Sequence, residues 1–130
     1  MPEKSLFERL GGTYAIAGAV DVLVDRLFAS ASVNANEAVH AHHGDPANAP
    51  GYKFLVTAWS IEATGGPSCY PGLDMERAHA TLDITDEQFD AVATEIDATL
   101  NFLAVPAAER AEFMEIIESF RPQVVAGAAA

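Results

Sequence analysis

Four histidines and one cysteine hold most of the ligand chemistry in this chain: His40, His42 and His43 in "HAHH", His79 in "DMERAHATL", and Cys69. A lone cysteine has no partner for a disulfide and cannot build a CxxC zinc or redox site, so a metal here depends on imidazole. Nothing cationic flanks Cys69 to lower its thiol pKa, and its reading is structural. No Ser-His-Asp order, phosphate-binding glycine loop or carboxylate pair stands out. His79 alone has a distinctive setting. Residues 74–82 form a short polar-apolar segment between the stop "GGP" at 65–67 and a helix start at Thr85. A histidine among apolar neighbours is more often a core or surface residue than a ligand, so the case rests on the elements around it.

Those elements read as helices. Ser5 and Glu8 form a capping box for a short first helix that stops at Gly11-Gly12. A longer helix from near Thr13 to about Ser30 carries the stripe Ile16, Ala19, Val20, Leu23, Val24, Leu27 and Phe28. Residues 31–50, rich in Asn, Ala, His and Pro, read as loop with at most a helical turn at 37–42. Pro50-Gly51 opens the next helix. Its apolar residues Phe54, Leu55, Val56, Ala58, Trp59 and Ile61 cover most of its circumference and predict burial on more than one side. Gly65-Gly66-Pro67 ends it. Thr85 with Gln88 forms a second capping box, and Ile84 with Phe89 a hydrophobic staple, ahead of a helix whose core face is Phe89, Val92, Ala93, Ile96, Leu100 and Leu103. A last helix starts at Pro106 and carries Phe113, Ile116, Ile117, Phe120 and Val124, with Pro122 ending or bending it. No strand alternation or repeat appears. The expectation is an all-α chain forming one domain over 1–130.

Charge narrows the partners. Seven basic against nineteen acidic residues give a net charge of -12, which repels nucleic-acid phosphates and gains little from anionic lipid. No run of about 18 apolar residues suits a membrane span, and the N-terminus lacks the apolar core of a secretion signal, which points to the cytoplasm.

Within that frame His79 is an imidazole fixed at the wall of an apolar interior. A planar porphyrin requires such a wall, because one neutral imidazole binds haem iron while Leu, Val, Met and Phe cover the macrocycle. "LFERLGG", the ungapped "TGGPSCYPGLDMERAHATLDITDEQFDAV" and "VPAAERAEFMEIIESFRPQVV" together resemble the truncated haemoglobins, group I in particular, over nearly the whole chain. Two Gly-Gly pairs with Tyr70, Gly72, Met75, His79, Ile84, Thr85 and Phe89 in register carry the likeness. The resemblance implies a two-on-two helical sandwich around haem b, with His79 as proximal iron ligand. It also implies Tyr52, Lys53, Val56, Trp59, Tyr70, Met75 and Phe89 as haem-pocket residues.

The distal side departs from the family pattern. Leu23-Val24 stands where the family usually has Phe-Tyr, and Val56 where a glutamine commonly assists, so both usual hydrogen-bond donors are absent. Tyr52 is the nearest replacement donor, or simply a residue packed at a helix start. His40, His42 and His43 read first as a solvated loop; the alternative places His42 or His43 in the pocket, as donor or sixth iron ligand. Lys53 or Arg77 would face the haem propionates. The function implied is binding of a diatomic gas (O2, CO or NO) for storage or sensing, with an unidentified reductase. An apolar distal pocket favours that over the alternatives, a nitric oxide dioxygenase or peroxidase, and over a haem-free interaction module.

Overall fold

The computed structural model describes residues 4–125, which consist of helices and connecting turns apart from an isolated parallel bridge between Ile84 and Val125. Ser5 begins α1 (Leu6–Arg9) by accepting the Glu8 amide at 3.2 Å. The Glu8 carboxylate meets the Ser5 hydroxyl rather than its backbone, so the capping box closes on one side only. Gly11 and Gly12, at φ +102° and +81°, turn the chain into α2 (Gly12–Ala29), which buries Ile16, Val20, Leu23, Val24 and Leu27.

The stretch expected to be loop is largely helical: α3 (Ala31–Asn34), α4 (Glu37–His43) and a 3-10 turn at Pro46–Asn48. The Ser, Asn and Asp residues that signalled loop act as helix caps. Ser30 accepts the Val33 amide, Asn36 the Ala38 and Val39 amides, and Asp45 the Ala47 amide. Val33 and Val39, one on each short helix, complete the anchoring by entering the core.

The following helix, α5 (Ala49–Ala63), packs on α2. Here a second expectation fails. Phe54 stays 61% exposed and Leu55 40%, so no other helix covers that side of α5. At its end Gly65 adopts φ +95°, and a Cβ on Gly66 would lie 2.9 Å from the Ile61 carbonyl oxygen and 2.6 Å from the Phe7 ring. The Phe7 amide donates to the Thr64 carbonyl at 2.8 Å and ties α1 to this corner.

Asp74 caps α6 (Met75–His79) by accepting the Arg77 amide at 2.8 Å. Both arms of the Thr85–Gln88 box then start α7 (Asp86–Phe102), with Ile84 and Phe89 both buried. The chain closes with α8 (Ala107–Ser119) and α9 (Arg121–Val124). The expected last helix is interrupted ahead of Pro122: α8 ends at Ser119, and Pro122 sits in the first turn of α9, where its missing N–H costs nothing. Arg121 pins this end through Asp86, Asp90 and Glu118, with its guanidinium 4.3 Å from the Phe89 ring centre. The pairs α2–α5 and α7–α8, joined where α2 meets α7, make a two-on-two sandwich, and α6 rests on α9.

Gly66→Ala should destabilise the protein by about 1–3 kcal/mol, because the Ile61 carbonyl cannot yield. Gly51→Ala, inside α5 with open space around its Cα, should stabilise it by about 0.4–1 kcal/mol. Chemical denaturation of both variants checks the opposite signs.

Candidate functional site

The His79 ring nitrogen Nδ1 lies 2.8 Å from the Met75 carbonyl oxygen, one helical turn back. A carbonyl only accepts, so Nδ1 carries a hydrogen, and in the neutral ring Nε2 keeps its lone pair. Nε2 has no partner among the described residues. Nor do the described residues gather three His, Cys, Asp or Glu side chains around a metal ion. A metal bound through this nitrogen must therefore bring its other ligands with it.

The surroundings suit a planar apolar group that does so. α5 and α6 scarcely touch, and the segments flanking the gap expose Phe54, Leu55 and Leu73. Tyr70 stiffens the connection by donating its hydroxyl to the Leu73 carbonyl at 2.6 Å, and Met75 is half-buried at the start of α6. Phe89 is buried beneath Arg121, and half-buried Trp59 meets Phe120 edge-on with ring centres 5.4 Å apart.

Val24, fully buried, and Val56 belong with Phe28 and Tyr52 to one apolar cluster between α2 and α5. The three loop histidines separate. His40 and His42 are solvent-exposed. His43 is 8% exposed, stacks on Phe28 at 4.4 Å between ring centres, and meets Tyr52 edge-on at 5.4 Å. Solvation therefore describes two of the three, and α4 carries the third inward. Burial, reinforced by His42 and His40, pushes the His43 pKa below its ordinary value and keeps the ring neutral. Burial also pushes the Tyr52 pKa up, so its hydroxyl stays a donor.

Sequence reasoning missed Asn34. Its Oδ1 lies 2.7 Å from His43 Nδ1, while its Nδ2 donates to the carbonyls of Leu27, Phe28 and Ser30. No motif marks an asparagine nine residues before a histidine. Asn36 was missed too; its Nδ2 ties α4 to the Leu82 carbonyl at 2.7 Å, just beyond His79.

Of the two candidate cations, Lys53 is engaged by Asp21 and Asp25 at 2.8 and 2.9 Å. Exposed Arg77 has Asp74 at 3.6 Å. Cys69 is exposed, with Sγ 3.6 Å from the Ala58 carbonyl.

Residues 5–126 match the family of bacterial-like globins. The chain is 30% identical over 123 residues to a Group 1 truncated hemoglobin of Chlamydomonas moewusii, covering 93% of this chain and 68% of that protein. A 2/2 hemoglobin from a Synechococcus species, in the cyanomet state with covalently attached heme, superposes with a TM-score of 0.81 at 30% identity over 94% of this chain and 98% of that one. Truncated hemoglobin from Tetrahymena pyriformis in the Fe(III) form gives 0.78 at 27% identity over the same shares.

Because the His43 pKa is lower folded than unfolded, the unfolded chain takes up a proton that the folded chain resists. The associated stability is complete above the unfolded value of 6.5 and lost as pH falls below it. His43→Phe should therefore lose less stability than the parent between about pH 7.5 and about pH 5. Equal losses in denaturation curves at the two pH values would count against this.

Proposed function

The chain belongs to the bacterial-like globin family, and on that premise we propose that it binds haem b through His79 Nε2 and takes a diatomic gas, O2, CO or NO, on the opposite face, for storage or sensing. The observation that carries this is the Met75–His79 hydrogen bond beside an uncovered apolar gap. Haem supplies the iron that exchanges the gas. Met75 holds the imidazole in one orientation and tautomer, as a carbonyl partner does for a ligating histidine. Phe54, Leu55 and Leu73 cover the macrocycle, and Arg77, whose ion pair with Asp74 is long at 3.6 Å and exposed, is the cation for the propionates. Lys53 is already paired with Asp21 and Asp25, which makes Arg77 the more available of the two cations.

On the distal side Val24 and Val56 exclude water, and the Tyr52 hydroxyl, without a protein partner among the described residues, donates to the bound gas. Elsewhere a half-open apolar cleft of about 420 Å³, bordered by Ile16, Val20, Leu23, Ile96, Leu100 and Phe113, offers further room to a small uncharged ligand. The protein would work in the cytoplasm with a reductase that keeps the iron ferrous.

His79→Gly should lose haem or retain it only with added imidazole; an unchanged Soret band and haem affinity would refute the assignment. Tyr52→Phe should speed oxygen release by about tenfold, the equivalent of one hydrogen bond of about 1–1.5 kcal/mol. Stopped-flow release rates measure this, and carbon monoxide, which depends less on such a bond, should change little.

A further inference from the structure

The side chain of Asn36 is 9% exposed and divided between two parts of the fold. Its Oδ1 accepts the Ala38 and Val39 amides at 2.9 and 3.1 Å, in the first turn of α4. Its Nδ2 donates to the Leu82 carbonyl at 2.7 Å and to Gln88 Oε1 at 3.0 Å, 46 and 52 residues along the chain. Backbone amides only donate and carbonyls only accept, so the two ends of the side chain cannot be exchanged. From Leu82 the connection continues to the iron-binding segment: the Leu82 amide donates to the His79 carbonyl at 3.0 Å, and His79 Nδ1 lies 2.8 Å from the Met75 carbonyl oxygen. Asp83, next in the chain, has φ +50°, a left-handed conformation that a residue with a Cβ keeps where its neighbours hold it. Those neighbours are Leu82, bonded to Asn36, and Ile84, which pairs with Val125 and shares the core with Val39. Seven residues are too few for α4 to be stable alone, so its order depends on such contacts.

We propose that Asn36 couples α4 to His79: iron binding at His79 fixes the turn at 80–85 and through it orders α4, and order in α4 in turn strengthens the hold on the haem. This rests on haem bound through His79. Asn36 is a positioning residue, since it reaches His79 through Leu82. The two effects are one coupling free energy seen from its two ends. A serine at position 36 still caps α4 through its hydroxyl but is too short to reach Leu82, which separates the cap from the coupling.

Hydrogen exchange at the α4 amides, measured in the haem-free and the haem-loaded protein, reads this coupling. Loading should slow exchange in α4 of the parent about tenfold. In Asn36→Ser the slowing should fall below about twofold, and the variant should hold haem about tenfold less tightly in competition with a haem-free acceptor globin. The ferrous iron–histidine stretching band should shift in the same variant, which loss of a contact serving stability alone would leave in place. His79→Gly loaded with haem and imidazole provides an arm with Asn36 intact: its imidazole is detached from the backbone, so α4 should gain no protection although haem is bound. Haem-loaded parent in which α4 exchanges as fast as in the haem-free protein overturns the proposal. So does a gain in protection as large as the parent's in Asn36→Ser or in the imidazole-loaded protein. An Asn36→Ser chain that fails to fold leaves the decision to the parent and the imidazole-loaded protein. A parent that takes up no haem refutes the His79 reading and this one with it, a result distinct from haem-bound protein with unaltered exchange in α4.

Discussion

The contact that organises this molecule is the one at Gly66, where the backbone passes so close to the Ile61 carbonyl and the Phe7 ring that no side chain fits. With Gly65 in a left-handed conformation beside it, the chain leaves α5 abruptly instead of folding back over it. Residues 67–74 then run outward to α6, and the outer side of α5 stays bare. Leaving Phe54 and Leu55 in water costs roughly 25 cal/mol per Å² of apolar surface, a cost that covering by an apolar cofactor removes. The same corner ties α1 to the end of α5 through Phe7, so a helix of four residues holds one wall of the gap.

Two imidazoles then receive the same treatment from different partners. His79 gives its Nδ1 hydrogen to a carbonyl of its own helix, and His43 gives its own to an asparagine whose amide is committed to three other carbonyls. Each leaves its Nε2 without a partner among the described residues. Chemically they are alike; what separates them is the element that carries them. α6 is a single turn resting on α9, while α4 is capped by Asn36 and leans on the α2–α5 cluster. The shared Asn36 bond to Leu82 means that the segment after His79 and the helix carrying His43 are positioned together.

Much of this was legible in the sequence because it depended on local chemistry. The capping box at Thr85 and Gln88, the Gly-Gly stops and the stripe of α2 involve residues close in sequence, and their structures follow from backbone geometry alone. The setting of His79, on a short element between the Gly-Gly stop and the Thr85 cap, was legible for the same reason. Residues 31–50 were not, because Ser, Asn and Asp favour turns and helix caps equally, and the choice falls to Val33 and Val39 finding the core. The bare side of α5 was hidden because periodicity counts apolar residues without knowing whether a protein helix will meet them. Asn34 was hidden because its role lies in which of two nearly identical amide ends faces His43, and only the surrounding carbonyls decide that.

Val24 and Val56 lie with Phe28 and Tyr52 in one apolar cluster between α2 and α5, and His43 stacks on Phe28 against the edge of Tyr52. The Asn34 amide, held by three backbone carbonyls, sets the His43 hydrogen on Nδ1, so the neutral ring offers an acceptor where the Tyr52 hydroxyl offers a donor. A diatomic gas has lone pairs and no hydrogen, so under the proposed function the donor suits it and the acceptor does not, and any polar preference for such a ligand rests on Tyr52 rather than on His43.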